Sequence, residues 1–464
     1  MRKYLESLSV LLLTVAWLCL GGIFNPSMAK GITSEVNSDL EVYSRILEVA
    51  DESGRLLSGP ALDNQLSSSV APQGQGFFGV KGFEKKVRPV ADFNIFGKAL
   101  EQLKNDSDPA EDGLSDEVKI LLVAAEAGDP VSQYELGLAY DFGQGAPENK
   151  AEAVRWYRKS ADQGNPNAQY NLAVSYDTGE GTEVDKPEAI RWYLKAAEQN
   201  HLAAQHNLGV SYSDGDGVPQ DQAEALRWFR RSAEGGFLSA QKKMAFIYEQ
   251  GEGVPKDQTE SAKWFRLCAD KGDATCQYNL AVAYDFGEGI PVDKAEAIKW
   301  YRLAADQDHA NAQFNLALSY NSGDGVPKDR AQALKWYRLA AENGQASAQY
   351  NLALAYDNGN GLPVDKAAAI KWYLQAAEQG LDKAQFNLAV SYDNGDGVPV
   401  DKIEAIKWYR LAADQGHVGA QYNLGLTYKN GDGVPRDLVE AKKWLTLAAD
   451  QGDADAKKAL RGLR

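Results

Sequence analysis

Tryptophan recurs along this chain at a fixed interval of 36 residues, and no insertion or deletion breaks the register. The nine positions are Trp156, Trp192, Trp228, Trp264, Trp300, Trp336, Trp372, Trp408 and Trp444. A tyrosine column follows the same interval from Tyr140 to Tyr428. Because self-similarity at a constant period is the signature of repeat architectures, the sequence predicts one array of stacked units instead of several independent domains.

Each unit has the hydrophobic pattern of two short helices. In the eighth unit the first helix places Ala384, Leu388 and Tyr392 on one face, and the second helix aligns Ala405 and Trp408. Neither helix can bury such a stripe alone, whereas stacked neighbours can. We therefore expect an all-α solenoid of about nine to ten helix-turn-helix repeats, each of 36 residues.

Glycine punctuates almost every unit twice. Gly143, Gly145 and their later copies follow the first helix, where a positive φ would end the helix and turn the chain. A second column, from Gly128 to Gly452, follows the other helix and is broken only by Asn200 and Asp308. Asn and Asp are among the residues that best tolerate the left-handed conformation, so the turn is expected there too.

Acidic residues mark the starts of the second helices. An Asp is followed three positions later by a Glu in several units, among them Asp185 and Glu188, Asp221 and Glu224, Asp257 and Glu260, Asp293 and Glu296, Asp401 and Glu404. This is the spacing of a capping box, in which each side chain bonds the backbone amide of the other residue. The sequence therefore predicts that many of its carboxylates cap helices.

The overall charge is acidic, with 49 Lys and Arg against 65 Asp and Glu. Such a surface repels nucleic acid and anionic lipid, so we expect neither as a partner. The composition, 44% apolar and 25% charged, is that of a folded soluble chain and excludes collagen-like and polytopic membrane classes. No segment after the N-terminal leader is apolar enough to span a bilayer.

The first 29 residues have the features of a signal peptide. Arg2 and Lys3 precede an apolar run over residues 8–20. Ser27 and Ala29 then place small side chains at the two positions that a signal peptidase reads. We expect residues 1–29 to be removed and the mature protein to be periplasmic or secreted. The alternative is an uncleaved anchor.

Residues 30–113 lie outside the repeat. Residues 58–76 are rich in Ser, Gly, Pro and Gln, which is typical of a linker. Residues 77–96 interleave five Phe with Lys and Arg. We expect a low-complexity, partly disordered segment, and two interpretations of it stay open: an arm that binds a partner, or a segment that folds back on the first repeats.

The unit reads Ala-x-x-x-Leu-(Gly/Ala)-x-x-Tyr, then Gly-x-Gly-Val-Pro-x-Asp, then Ala-x-x-Trp-Tyr-x-x-Ala-Ala. This pattern resembles the Sel1-like repeat, a relative of the tetratricopeptide repeat, over about residues 114–464. The resemblance implies a right-handed α-superhelix that binds other proteins, and many bacterial members look like exported adaptors at the cell envelope. We expect a monomer without a cofactor that binds a protein or peptide segment.

Two columns of the first helices suggest where an extended segment would bind, because first helices line the concave side of a helix-pair solenoid. One column is mostly Asn: Asn171, Asn207, Asn279, Asn315, Asn351, Asn387 and Asn423. The neighbouring column is mostly aromatic: Tyr170, Tyr278, Phe314, Tyr350, Phe386 and Tyr422. A carboxamide can both donate to and accept from a peptide backbone, and rings offer stacking surface. The columns together predict a peptide-binding groove.

A structural role for the same columns is the alternative, since Asn could instead bond a neighbouring repeat and the rings could belong to the core. Repeated Asn in a helix interior needs an explanation in either case. Five aspartates, Asp141, Asp177, Asp285, Asp357 and Asp393, add negative charge to this face. We therefore expect a basic or neutral partner segment.

Cys268 and Cys276 are the cysteines that remain after leader removal. They occupy two columns that otherwise hold Ser or Ala, which indicates closely approaching backbones on either side of a turn. Together with export, this predicts a disulfide between them. Two buried thiols are the alternative. Cysteine-rich Sel1-like proteins carry the same Cys spacing in most repeats, whereas this chain has it once.

That cysteine-rich subgroup has been described as binding penicillin, so a β-lactam-binding or β-lactamase-like hydrolase is the alternative function. Ser239 and Lys242 match the Ser-x-x-Lys motif, but no Lys-Thr-Gly follows. We expect no catalytic residue. His201, His309 and His417 share one repeat position three units apart and cannot share a metal ion, so no metal site is expected either.

Overall fold

A computed structural model describes residues 113–463, so the predicted signal peptide and almost all of the N-terminal segment lie outside the described residues. The described chain forms two compact units, residues 113–156 and 157–463, whose boundary falls inside a helix. Between residues 113 and 463 the regular structure consists of twenty α-helices, and no strand is present in this range. None of these helices is long and apolar enough to cross a bilayer.

The first unit contains a short leading helix, one whole first helix and the start of the next. These are α1 (Asp116–Glu126), α2 (Pro130–Phe142) and the beginning of α3 (Lys150–Asp162). Val118, Leu136 and Trp156 form its core.

The second unit continues as an uninterrupted series of helix pairs. Its helices are α4 (Pro166–Thr178), α5 (Lys186–Glu198), α6 (Leu202–Asp214), α7 (Gln222–Glu234), α8 (Leu238–Gln250), α9 (Gln258–Ala269), α10 (Ala274–Phe286), α11 (Lys294–Ala305), α12 (Ala310–Ser322), α13 (Arg330–Glu342), α14 (Ala346–Asn358), α15 (Lys366–Glu378), α16 (Asp382–Asn394), α17 (Lys402–Asp414), α18 (Val418–Asn430), α19 (Leu438–Asp450) and α20 (Ala454–Arg461). The even-numbered members up to α18 are first helices, and the odd-numbered ones are second helices.

Each helix of the second unit packs on the next one along the chain, as the hydrophobic pattern predicts. First helices bury residues such as Leu316, and second helices bury Trp300 and Tyr301 of the preceding pair. One buried cluster runs without a break from Ala245 to Leu352 and so crosses several repeats. The helix pairs in this range therefore share one hydrophobic core, as expected of a solenoid.

The turns adopt the predicted backbone conformations. Gly143 and Gly145 have φ values of 66° and 73°, and their later copies are also positive. At the two interruptions of the second glycine column, Asn200 and Asp308 take φ values of 64° and 62°. They are the only non-glycine residues with positive φ between residues 113 and 463.

The second helices are capped by their aspartates, but the predicted capping box is only half formed. The Asp185 carboxylate accepts from the backbone amide of Glu188 at 3.0 Å, and Asp221, Asp257, Asp293 and Asp401 act in the same way. The second bond of the box, from the Asp185 backbone amide to the Glu188 side chain, is not formed, because that amide already donates to the Tyr176 carbonyl at 2.9 Å. The Glu188 side chain instead accepts from the Trp192 indole N–H at 2.9 Å.

Candidate functional site

The Asn and ring columns lie on the partly open face of the first helices. In α16, Ala384 and Leu388 are buried, whereas Phe386, Asn387 and Val390 are half-buried. The other repeats of the second unit follow the same pattern. The structure thus places the predicted columns side by side.

Most of the Asn side chains bond a tyrosine on the preceding second helix. The Nδ2 atoms of Asn207, Asn315, Asn387 and Asn423 donate to the hydroxyls of Tyr193, Tyr301, Tyr373 and Tyr409 at 3.0–3.2 Å. Asn351 lies beside the hydroxyl of Tyr337, while Asn279 turns back to the carbonyl of Thr275 at 2.9 Å. Asn171 is half-buried at the same position. These contacts join successive repeats and favour a structural role for the column.

Four of these tyrosines continue the hydrogen-bond chain into an ion pair. The Tyr301 hydroxyl donates to Asp285 Oδ2 at 3.1 Å, and Lys294 Nζ donates to the other oxygen of Asp285 at 2.6 Å. The same Asn–Tyr–Asp–Lys chain occurs around Tyr193, Tyr373 and Tyr409. Burial, with the neighbouring aspartate, raises the pKa of Tyr301 well above its usual range, so the hydroxyl stays a donor at all physiological pH values.

The predicted negative charge of this face is therefore largely compensated. Asp141, Asp177, Asp285, Asp357 and Asp393 each lie within 2.9 Å of a lysine Nζ on the second helix of the same repeat. These five carboxylates therefore give little support to the expectation of a basic or neutral partner segment, which stays a prediction, because their charge is balanced within the repeat.

The sequence itself contains a signal for the Asn–Tyr–Asp–Lys hydrogen bonds, which is covariation between repeats. Asp, Lys and Tyr occur together in four repeats of the second unit: Asp177, Lys186 and Tyr193; Asp285, Lys294 and Tyr301; Asp357, Lys366 and Tyr373; Asp393, Lys402 and Tyr409. Where the tyrosine is replaced by Phe229 or Phe265, the Asp and Lys are replaced as well. Tyr337 is an exception, because it is kept where the other two positions hold Asn321 and Arg330. The Asp and Lys positions change together in every repeat of the second unit, which indicates contact between them.

The ring column packs against the second helix of the same repeat and the turn after it. Tyr170, Tyr278 and Phe386 stack on His201, His309 and His417, with ring centroids 4.5–4.7 Å apart. Phe314 and Tyr350 make tilted contacts at 5.9 and 6.0 Å with Tyr337 and Tyr373. Tyr422 packs beside the C-terminal core cluster around Leu445. One face of each ring is therefore packed against other side chains, and all six rings remain partly exposed to solvent.

A third column on this face escaped the sequence analysis. It is apolar in every repeat of the second unit and partly exposed throughout: Val174, Val210, Phe246, Val282, Leu318, Leu354, Val390 and Leu426. Val210 and Leu318 leave 41% and 40% of their surface open to solvent. We call this set the apolar stripe. It follows the Asn column by three residues, so the two columns lie one helical turn apart.

Nine consecutive segments of the chain match the Sel1 repeat. They are residues 130–165, 166–201, 202–237, 238–273, 274–309, 310–345, 346–381, 382–417 and 418–453. The chain belongs to the Sel1 repeat family. A comparison with curated proteins gave no match.

Two solved structures with the Sel1 repeat fold are similar to this chain. One is c5321, described as a protective antigen present in uropathogenic Escherichia coli strains, at 31% identity over 79% of this chain and 93% of that one, with a TM-score of 0.57. The other is a Sel1 repeat protein from Oxalobacter formigenes, at 29% identity over 80% and 99% of the two chains, with a TM-score of 0.55.

A buried glutamine in each Sel1 repeat was also missed by the sequence analysis. The column consists of Gln133, Gln169, Gln205, Gln241, Gln277, Gln313, Gln349, Gln385 and Gln421. Each Nε2 donates to the carbonyl of the alanine eight residues earlier, at 2.9–3.3 Å. In six repeats a Gln or Asn thirty residues later donates to the Oε1 atom, at 2.8–3.0 Å. This glutamine ladder ties successive Sel1 repeats together.

Three histidines act as helix caps in their neutral form. The Nδ1 atoms of His201, His309 and His417 accept from the backbone amide three residues later, at 3.2–3.3 Å. Burial lowers the pKa of each imidazole, in two of them against a nearby aspartate that raises it. Among residues 113–463, no three His, Cys, Asp or Glu side chains converge as a metal site would require.

The lowered histidine pKa values predict a loss of stability in mild acid. Because the folded-state pKa lies below the unfolded value of about 6.5, the unfolded chain takes up protons first as the pH falls. Stability is therefore complete above that pH and declines below it. Replacing all three histidines by Asn, which caps helices without titrating, should flatten the decline, measured by guanidinium unfolding between pH 7.5 and 5. An equal decline in the variant would contradict the assignment.

Cys268 and Cys276 lie on either side of the turn between α9 and α10, fully buried, with Cα atoms 5.8 Å apart and sulfur atoms at bonding distance, 2.02 Å. The oxidised state of the protein itself stays a prediction. Mass spectrometry of the mature chain without reductant should show no alkylatable thiol. Replacing both cysteines by Ser, which occupies these columns in other Sel1 repeats, should cost about 2–3 kcal/mol of stability. Two free thiols in the native protein would refute the bridge.

The residues of the hydrolase alternative do not form a catalytic pair. Ser239 is exposed on α8, and the Lys242 ammonium donates to Asp273 Oδ2 at 2.8 Å at the end of the same Sel1 repeat. A base that activates serine has to be neutral and within reach of its hydroxyl. The Lys242 ammonium bonds Asp273 and makes no bond with the Ser239 hydroxyl among the described residues, so this pair lacks the arrangement that acyl transfer needs.

Proposed function

We propose that this protein is a non-enzymatic scaffold that binds an extended protein segment along the first-helix face of its Sel1 repeats. The observation that carries the proposal is the apolar stripe, which recurs in every repeat from Val174 to Leu426 and keeps part of each side chain open to solvent, most at Val210 and Leu318. Partly exposed apolar side chains that recur along one face are typical of interaction surfaces. A row with the period of the repeat suits a segment that lies along the solenoid.

The neighbouring columns would frame the segment. The Asn side chains are held in place by tyrosine hydroxyls, as in the bond between Asn315 and Tyr301. A carboxamide fixed in this way is pre-organised, so little rotamer entropy is lost when it meets a peptide backbone. The half-exposed rings, such as Phe314, add stacking surface beside it. In this proposal the stripe supplies most of the affinity and the Asn column sets the register.

We further propose that the mature protein is exported, through the leader in residues 1–29, and acts outside the cytoplasm. Support comes from the leader pattern, from the Cys268 and Cys276 pair, and from c5321, which is described as a protective antigen. N-terminal sequencing of the protein from its native envelope or culture medium should begin at Lys30. Recovery of the intact N-terminus would contradict cleavage.

A photo-crosslinking experiment tests the binding face. A photoreactive amino acid placed at Leu318, in the stripe, should crosslink to a discrete partner in cells, whereas the same residue at Leu303 should not. Leu303 is a matched control because it is 47% exposed, against 40% for Leu318, and lies on a second helix. Serine at Leu354 and Val390 should abolish the crosslink at Leu318. Equal crosslinking from both positions would contradict the proposal.

The absence of catalysis is part of the proposal and has its own measurement. Purified protein should leave the β-lactam nitrocefin unhydrolysed, because Lys242 is ion-paired and Ser239 has no neutral base beside it. Turnover that disappears in a Ser239→Ala variant would establish the hydrolase alternative instead.

A further inference from the structure

The second helices carry a repeated carboxylate clamp. In α5 the carboxylate of Glu188 accepts from the Trp192 indole N–H and from Arg191, both at 2.9 Å. The corresponding glutamates of α11 and α19, Glu296 and Glu440, bridge a Trp and a Lys in the same way. One carboxylate thus satisfies a buried indole donor and a basic side chain at once.

This carboxylate is missing from α13. Gln332 stands in place of the glutamate, and its carboxamide makes no hydrogen bond with the described residues. Lys335 pairs with no carboxylate between residues 113 and 463 and lies 5.5 Å from the centre of the Trp336 ring. Trp336 is only 7% exposed, and its indole N–H has no partner. A buried donor without an acceptor is costly, so this position favours an external acceptor.

Other unpaired indoles differ from Trp336 in one respect. The N–H groups of Trp228 and Trp408 also lack an acceptor, but Glu224 and Glu404 lie one turn away on the same helices. A side-chain rotation can bring those carboxylates to the indoles. Helix α13 has only Gln332 at this position, whose carboxamide oxygen can accept from an indole but carries no charge to pair with Lys335.

A cleft of about 600 Å³ opens at this place. Its lining includes Gln332, Lys335 and Trp336, together with Arg302 and Lys328. Two carboxylates also line it: Asp329 is occupied as the N-cap of α13, and Asp306 is exposed. The cleft therefore holds three cations against two carboxylates, with Arg302 also donating to the Tyr320 hydroxyl, and Trp336 forms part of its wall.

The local charge supports an anionic ligand. Residues 326–345 hold four cations, Lys328, Arg330, Lys335 and Arg338, against the carboxylates of Asp329 and Glu342. The corresponding twenty residues of the other repeats from 182 onward are neutral or negative. In a chain of net charge −16, this is a local reversal of sign.

The second helix of the next repeat also lacks this carboxylate. In α15 the glutamate position is Ala368, and Lys371 makes no ion pair with the described residues. Its ammonium lies 5.9 Å from the centre of the Trp372 ring. Two consecutive repeats thus present a basic side chain beside an indole without the internal carboxylate. A ligand with two spaced carboxylates matches this arrangement better than a single anion.

We infer that the cleft at Gln332, Lys335 and Trp336 is a binding site for a glutamate or aspartate side chain of an acidic protein segment. The incoming carboxylate takes the place of the missing glutamate, accepts from the Trp336 indole N–H and pairs with Lys335. A second acidic side chain of the same segment reaches Lys371. Charge-assisted bonds of this kind are short and specific. The site lies on the second helices and is independent of the apolar stripe.

Indole NMR on the full mature chain tests the assignment. The probe is an acetylated and amidated peptide with two glutamates spaced by glycines, and the control peptide carries glutamines instead. The Trp336 N–H signal, identified by its loss in Trp336→Phe, should shift saturably with the glutamate peptide alone. An unmoved Trp336 signal, or an equal response to the glutamine peptide, would overturn the site.

Two substitutions at one position complete the test. Gln332→Glu restores the internal clamp, so it should weaken peptide binding at least about tenfold and shift the Trp336 signal before any peptide is added. Gln332→Ala leaves the site open and should bind like the natural chain. Unchanged binding by a folded Gln332→Glu protein refutes the inference. Binding only by a peptide with a free C-terminal carboxylate refutes the assignment to acidic side chains.

Discussion

Replacing Gly289 by Ala should destabilise the protein by about 3 kcal/mol or more, the range of severe steric substitutions in a packed structure. Gly289 has a φ of 74°, which a side chain tolerates poorly. A methyl group there would also lie within 2.6 Å of the backbone nitrogen of Thr259 and closer still to the carbonyl of Gln258. Backbone atoms at a helix start cannot rotate away as a side chain can, so the turn would have to separate from α9.

Gly380 provides a matched control for this substitution. Its φ is 90°, but a methyl group there would meet nothing within 4 Å. Gly380→Ala should therefore cost only the conformational penalty of about 1–2 kcal/mol. The two variants are compared by the guanidinium unfolding midpoint and by hydrogen exchange of α9, which should be faster only in Gly289→Ala. Equal costs would show that the contact with α9 contributes nothing.

The repeat, the helix pairs and the turns could be predicted because each depends on a rule that acts within one unit. The apolar spacing of Ala384 and Leu388 fixes the buried face of a helix, and positive φ at Asn200 and Asp308 follows from the preferences of those residues alone. The N-cap role of Asp185 is equally local. The wrong half of that prediction concerned Glu188, whose partner Trp192 competes with the backbone.

Contacts between units were harder to predict from sequence. Asn315 needed a partner, but the pattern of a single unit does not place the Tyr301 hydroxyl beside it. The apolar stripe was missed because a Val or Leu on a helix, such as Val390, is normally assigned to the core. The correct signal in each case was a comparison of the same position across units, which shows what changes together and what never changes.

The glutamine ladder leads to the second large prediction: Gln385→Ala should cost about 3 kcal/mol. Gln385 is buried, donates to the Ala377 carbonyl at 3.1 Å and accepts from Gln415 at 2.8 Å. Its removal leaves the Ala377 carbonyl without this donor and opens a cavity between two repeats. The change in the unfolding midpoint measures the cost. Hydrogen exchange should accelerate in α15 and α16, because solenoid stability depends on interfaces between neighbours.

Gln241→Ala is the control that separates the energy of the hydrogen bond to Oε1 from the cost of the cavity left by truncation. Gln241 makes the same bond to the carbonyl of Ala233 at 3.1 Å, but its Oε1 atom is buried without a partner because Lys271 stands where other repeats have Gln or Asn. Truncation there removes an unsatisfied buried oxygen along with a hydrogen bond, so the two effects oppose each other. Gln241→Ala should therefore cost about 1–2 kcal/mol less than Gln385→Ala. If the two substitutions cost the same, the bond between Gln385 and Gln415 does not stabilise the interface, and the ladder acts only through packing.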